Sequence, residues 1–301
     1  MSRDLSLRKL RYFQAVAESG TVTQAAVDLN VSQSSITTGV REIEEQLGVS
    51  LFQRTSQGML LTQQGSRFLN QVQHVFQAVD EAFDGLQDSS ASVTGSLDLA
   101  TSYTVAGYFL PPLLARFQRR YPGVRLRVNE APRPEILDGL RNGRFDLGIV
   151  LTSNVDQTSQ VERQPLLHSK RRLWVNSHHP LLEREEIRLR DLVDEPYIML
   201  TVDEAEHTAM RYWKPAGLSP KVLFKTLSVE AVRSMVANGT GISILSDMVY
   251  RPWSLEGRRI VHIDLIDPVP TMEIGLAWGR GAELSPTARA FQEMALAFAR
   301  E

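Results

Sequence analysis

Residues 21–48 read TVTQAAVDLNVSQSSITTGVREIEEQLG, and this stretch decides the N-terminal fold. Thr21 stands three residues before Gln24, the spacing of a capping box, and opens a short helix that runs through Leu29. Asn30 and Val31 allow only a tight connection. Ser32 then caps a second helix, with Ile36, Val40, Ile43 and Leu47 on one face until Gly48 stops it. Ala25 and Ala26 let the helices approach closely. This is the pattern of a helix-turn-helix, whose second helix enters the DNA major groove with its N-terminal residues toward the base edges. Those residues are Gln33, Ser34, Ser35, Thr37 and Thr38. Gln pairs with adenine through two hydrogen bonds, and Ser and Thr reach base edges or phosphate. The helix start at Ser32 suits a phosphate oxygen, and Arg41 and Arg54 supply charge for the backbone. The spacing alone leaves an alternative open, a three-helix packing module with a Ser-rich solvent face.

Working outward, Leu7, Leu10, Phe13 and Val16 give one apolar face to a helix that stops at Gly20. Val49–Phe52 and Met59–Leu61 flank the turn-prone Thr55–Gly58 and read as a small hairpin. Thr62 to about Gln87 reads as one long helix. Its Phe68, Val72, Val75, Val79, Ala82 and Leu86 recur at steps of four and three, an a/d seam. A dimer supplies the partner helix most economically; packing against its own chain is the alternative. Asp88–Gly95 is small and polar, as a hinge is.

Beyond the hinge, strand-like runs (Leu97–Ala100, Val124–Val128, Asp146–Val150, Leu173–Val175, Tyr197–Leu200, Ile242–Leu245, Met272–Trp278) alternate with helical ones. The helical runs are Tyr108–Arg120, Pro134–Asn142, Glu206–Ala216, Val229–Asn238 and Pro286–Arg300. This punctuation predicts an α/β region with a mainly parallel sheet, as one sheet or as two lobes around a cleft.

The whole chain of 301 residues fits two domains of ordinary size. Its 33 Lys and Arg against 35 Asp and Glu exclude a uniformly basic coat, though not a local basic patch. Zero cysteines exclude disulfides, thiol catalysis and cysteine-ligated metal. The N-terminus lacks a signal-type apolar region and no run is long enough to span a membrane, so a cytoplasmic location away from membranes is expected.

Residues 5–66 resemble the amino-terminal domain of LysR-type transcriptional regulators, carried by FQAVAESG, TQAA, LNVSQSS, IEEQLGVSLFQRT and LTQQG in order. FLPPLLARFQRRYPGVRL, FDLGIV and VANGTGISILS extend the resemblance into the effector domain. It implies a winged helix-turn-helix over 1–62, a linker helix and hinge over 63–95, and an effector-binding domain over 96–301. That last domain would have two lobes, about 96–165 with 268–301 and about 166–267, like type 2 periplasmic binding proteins. The resemblance further implies a double-stranded DNA operator, contacts from Thr23 and the residues above, and a homodimer or homotetramer. RNA polymerase and a small effector, a carboxylate or related metabolite, complete the implied partners; no cofactor and no metal are implied. Three departures stand out. Ser34 replaces a common Pro, Thr38 a common Arg, and the wing carries Gln57 and Leu60 where basic residues are usual. Gly39 inside the recognition helix costs about 1 kcal/mol relative to Ala. Residues 1–67 carry seven basic against six acidic side chains, so affinity per head is modest and avidity must supply the rest.

For the effector, Thr101, Ser102, Tyr103 and Thr104 follow the first strand of the C-terminal region, where ligands of open parallel sheets sit. Three hydroxyls and backbone N–H groups there could hold a carboxylate. By the same resemblance Arg133, Thr152 and the 201–204 loop with Thr201 and Val202 line the cleft; Ser228 and Thr240, which flank the late helix, and the nearby His207 are further candidates, and each could equally be a loop cap. Asp203 and Glu204 suit an anionic ligand poorly. They point outward, cap the following helix, or bond an amine or hydroxyl of the effector. Enzyme motifs fail on particulars: there is no Gly-x-Ser-x-Gly, His-Glu-x-x-His or phosphate loop. Gly239-Thr240-Gly241 lacks a third glycine, and His178-His179 precedes Pro180 in what reads as a turn. The competing reading from another class is a small-molecule binding protein without a DNA function.

Overall fold

The computed structural model describes residues 5–55, 58–84, 93–155 and 160–300. Gln57, Leu86 and most of the expected hinge lie outside these, as does the side chain of Ala82. The chain divides into two compact units, Met1–Asp88 and Ser89–Glu301.

The first unit holds α1 (Leu7–Ser19), α2 (Val22–Asp28), α3 (Gln33–Leu47), β1 (Phe52–Thr55), β2 (Gly58–Leu61) and α4 (Gln63–Asp84). Its helices start where hydroxyl side chains accept orphan N–H groups: Ser6 from Lys9, Thr21 from Gln24 and Ser32 from Ser35. The expected capping box is only half made, because the Gln24 side chain turns forward to Asp28 Oδ1 at 2.7 Å. Asn30 takes a left-handed φ of 52°, which a short amide side chain tolerates, and closes the turn between α2 and α3. The hairpin starts later than expected, with Phe52 opposite Leu61, and leaves Val49 exposed.

Phe13 is the hub of this unit's core. Its ring meets Phe52 of β1 at 5.2 Å and Phe68 of α4 at 5.0 Å, so helix, wing and linker share one interior. That contact revises the seam on α4. Val72 is 1% exposed and Phe68 packs against the same core, so both serve their own chain; Val75 stays 41% exposed. The seam mixes two faces because a helix beginning on its own domain buries one stripe there first. Leu7, expected inside, is exposed and borders an apolar groove with Arg11, Phe76 and Val79.

The second unit has two mixed sheets. The first has the order β4 (Val124–Glu130), β3 (Gly95–Thr101), β5 (Leu147–Leu151), β12 (Met272–Gly279), β6 (Val161–Ser169). The second joins β10 (Ser243–Ser246), β7 (Arg171–Asn176) and β11 (Ile260–Ile263), and beside it β8 (Pro196–Leu200) pairs β9 (Lys221–Thr226). Backbone bonds between Ile198 and Ile242 and between Ile242 and Pro196, both 2.8 Å, connect β8 to this sheet. The expected mainly parallel sheet is thus corrected: β12 runs antiparallel to β5 and β6, and β7 antiparallel to β10 and β11. Returning strands carry the chain back across each lobe, which parallel crossovers alone would not do.

Both faces of the first sheet are covered, by α5 (Tyr103–Tyr108), α6 (Leu110–Arg120) and α10 (Pro286–Phe298) on one side and α7 (Arg133–Arg141) on the other. That is why β5 is buried at every position rather than alternating. α8 (Ala205–Trp213) and α9 (Val229–Ala237) cover the second sheet in the same way. The run Tyr108–Arg120 breaks at Phe109, where two helices meet. β6 continues to Ser169, past the expected lobe edge at 165, and pairs Ser169 with Met272. No helix among the described residues is long and apolar enough to cross a membrane.

Candidate nucleic-acid interface and interlobe cleft

On α3 the buried residues are Ile36, Gly39, Val40 and Ile43, so the opposite face is left to solvent. Gln33, Ser34, Ser35, Thr37, Thr38 and Arg41 all lie on it, exposed, with Ser32 at its start, Thr23 exposed on α2 and Arg54 exposed on β1. Ser32 Oγ lies 2.9 Å from Ser34 Oγ and 2.8 Å from Ser35 Oγ, and Thr37 Oγ1 donates to the Gln33 carbonyl at 2.9 Å. Gln33 and Thr38 side chains have no hydrogen-bond partner among the described residues. Arg41 Nε sits 3.3 Å from Glu45 Oε1 with both side chains about two-thirds exposed, a pair a phosphate would readily replace.

Gly39 has a structural reason. A Cβ there would stand 2.8 Å from Cδ2 of Tyr12, so only glycine lets α1 lie this close to the recognition helix. Arg8 and Lys9 of α1 border the same shallow groove as Ser34, Ser35 and Thr38. Sequence reasoning missed Arg8 as a neighbour of this face because periodicity says nothing about which helices cross. Glu44 is spoken for: Oε1 accepts the N–H groups of Leu51 at 2.6 Å and Phe52 at 3.1 Å and so anchors the wing.

In the second unit, Thr101, Ser102 and Thr104 are buried at the end of β3, while Tyr103 is 40% exposed. Ser102 Oγ is buried without a hydrogen-bond partner. The cleft beside this loop is narrow, with a cavity volume of about 50 Å³, and opens to solvent. Thr104 and Val202 line it, together with Asn154, Arg171, Tyr197 and Tyr212, which the sequence did not point to.

The other expected residues do different work. Thr152 is fully buried and donates to Glu273 Oε1 at 2.7 Å. Thr201 Oγ1 donates to the Thr226 carbonyl, and Ser228 caps α9 through the Ala231 N–H. Thr240 and His207 are exposed, Thr240 in the turn after α9. None of these five lines the cleft. Hydroxyl residues next to helix starts look alike in sequence whether they face a ligand or only their own backbone.

Asp203 and Glu204 do not point outward. Asp203 Oδ2 accepts the Thr104 N–H at 2.7 Å, and Glu204 Oε1 pairs with Arg133 Nε at 2.8 Å. Arg133 Nη1 also donates to the Asn154 carbonyl at 2.5 Å, while Asn154 Nδ2 donates to the Asp203 carbonyl at 3.0 Å. These bonds join the first lobe to the second. Both acids adopt left-handed backbone, with φ 49° and 60°, at roughly 1–2 kcal/mol each, strain the cross-lobe bonds must offset. Tyr197 and Tyr212 sit at the cleft wall, their phenol pKa values pushed up by burial, so they stay neutral.

Residues 7–66 match the family described as bacterial regulatory helix-turn-helix protein, lysR family, and residues 90–300 match the LysR substrate binding domain. The RuBisCO operon transcriptional regulator of Allochromatium vinosum is 31% identical over 293 residues, 97% of this chain and 96% of its own. The DNA-binding transcriptional dual regulator OxyR of Escherichia coli strain K12 is 29% identical, covering 93% of this chain and 91% of its own. The crystal structure of HinK, a LysR family transcriptional regulator from Pseudomonas aeruginosa, superposes with a TM-score of 0.64 at 32% identity, covering 98% and 99% of the two chains.

Proposed function

The chain belongs to the LysR family of transcriptional regulators, and we propose that it reads DNA through Gln33–Thr38 under the control of its interlobe cleft. One observation carries the first half: α3 presents a row of exposed hydrogen-bonding side chains with no packing role. Gln33 reads a base edge, Ser34 and Thr38 contact bases or phosphate, and Arg41 and Arg54 neutralise backbone charge. With a net of one positive charge over residues 1–67, a single head binds modestly. Two or four copies on a roughly two-fold symmetric operator then gain affinity through effective concentration.

Val75 and Val79 on α4, with the groove beside Leu7 and Phe76, supply the face for the partner helix. The second unit offers another: β9 exposes Val222, Leu223 and Phe224 in succession, an apolar edge of the kind that marks an interface. The effector is a small carboxylate or related metabolite held in the cytoplasm, and RNA polymerase is the downstream partner. A relative at 29% identity is named as a hydrogen peroxide-inducible genes activator. This chain has no cysteine, so a thiol switch cannot be its signal and a bound metabolite takes that place.

Effector binding changes how the lobes close and thereby the spacing of paired DNA-binding units. Linkage then makes effector and operator alter each other's affinity by the same factor. Footprinting on the operator with and without the effector tests this: a changed protected region or affinity is expected. An identical footprint and affinity would overturn it.

A further inference from the structure

The anion seat of the cleft has two claimants, and one is already occupied. The Thr104 N–H, in the loop where a ligand carboxylate would be expected, is held by the chain's own Asp203 at 2.7 Å. Arg133, which donates to the Asn154 carbonyl, is engaged by Glu204 at 2.8 Å. Asn154 fixes both acids in place through the Asp203 carbonyl and Glu204 Oε2. At this end of the cleft the N–H and the guanidinium that a ligand carboxylate would use are taken by the chain's own acids.

At the other end lies Arg171. It lines the cleft, and its one hydrogen-bonded partner is the Pro270 carbonyl. Among the described residues no carboxylate pairs with it. The charged and titratable groups that act on it are Tyr197, Tyr212 and Arg211: two phenols and a second cation. Burial lowers its pKa from the ordinary guanidinium value, yet a guanidinium keeps its proton in any protein setting. Arg171 is half-buried, and a partly desolvated cation without an anion gains from one that arrives to pair with it. The walls around it are mainly apolar, with Met199, Met272 and Leu151, and carry a few polar groups from Tyr197, Tyr212 and Ser246.

Resting on the effector reading above, we infer that Arg171 is the anion-binding residue of the cleft. The ligand is a small monoanion with an apolar body, and its acid group pairs with Arg171 rather than with the Thr101–Thr104 loop. The position makes the pairing consequential. Arg171 opens β7 two residues after Ser169, the last residue of β6, so it stands where the chain passes from one lobe's sheet to the other's. Ser246, opposite Arg171 in the ladder, donates to Ser169 Oγ at 2.7 Å across that passage. An anion seated there bears directly on the hinge between lobes.

The test is thermal unfolding of the full chain in sodium chloride and, at equal ionic strength, in formate, acetate, butyrate or benzoate, with benzamide as the neutral control. At least one of the acids is expected to raise Tm above chloride, and benzamide is not. Arg171→Met should unfold no lower than wild type in chloride, because no acid partner is lost. The same substitution should reduce apparent affinity for the stabilising acid by about tenfold or more, with partial rescue by Arg171→Lys. Ser102→Ala should keep the response. No shift with any of the acids, a full shift in Arg171→Met, or a shift abolished by Ser102→Ala would each overturn the assignment. Binding of a pool of genomic DNA fragments, measured in parallel without acid, separates the two readings. Its absence in wild type strikes the regulator reading, whereas a missing acid response strikes only the Arg171 assignment.

Discussion

Two short hydroxyl-rich segments, Ser32–Thr38 and Thr101–Thr104, look interchangeable as sequence and have opposite fates. The first stays exposed along α3, its serines bonded mainly to one another. In the second, Thr101, Ser102 and Thr104 are each 4% exposed or less, and an acid from the other lobe takes the Thr104 N–H. The difference is set by what lies underneath. α3 buries one stripe on a small three-helix core and has no second layer above it. The loop after β3 is roofed by the opposite lobe. Hydroxyls in the first setting remain available to a partner, and in the second they are part of the wall.

The largest expected effect breaks the first setting at its scaffold. A Cβ on Gly65 would stand 2.0 Å from the Leu51 carbonyl oxygen, so Gly65→Ala must push α4 off the hairpin. A loss of about 3 kcal/mol in the stability of the first unit is expected by chemical denaturation. Operator binding should fall with it while the acid response of the second unit persists. Next, Gln33→Ala should weaken the cognate site by about 1–3 kcal/mol and leave random DNA nearly unchanged, as read by competition binding. Equal weakening on both would mean that the exposed row only tracks the backbone.

On the cleft side, Arg133→Gln removes the cation that pairs with Glu204, the two side chains being 28% and 31% exposed. It should cost about 1 kcal/mol in the unfolding of the second unit. An unchanged stability would show that the cross-lobe bonds merely balance the strain at Asp203 and Glu204.

The smallest effect is a pH dependence. Burial, followed by the nearby Arg172, holds the His262 imidazole below its ordinary value near 6.5. The unfolded chain therefore takes up a proton that the folded chain resists. Stability should decline as pH falls below about 6.5 and level off below the folded-state value. His262→Gln should flatten the Tm profile over that window, and a wild-type profile that is already flat would remove His262 as a contributor.

Much of the first unit was legible because its signals are local. Caps at Ser32 and Thr21, the stop at Gly48 and the apolar stripe of α3 each span a single turn or helix. Even there the a/d seam misled: Phe68 and Val72 repeat like dimer residues but fill their own core, since spacing cannot say which surface a stripe meets. Gly39 costs helix propensity but leaves room for the Tyr12 ring, a contact that helix spacing does not reveal. In the second unit β6, β9 and β11 went unseen, and with β6 went the passage into β7 that places Arg171. Among the residues expected at the cleft, those that line it or bond across it are Thr104, Val202, Arg133 and the 203–204 pair.

From sequence come the helices of the first unit, the solvent face of α3 and the family, because capping, periodicity and motif spacing act over a few residues. Packing decided which hydroxyls are buried, that Asp203 and Glu204 turn inward, and that Arg171 has no carboxylate partner among the described residues. Those outcomes depend on groups 71, 99 and 121 positions apart, whose approach only the packing of two mixed sheets sets.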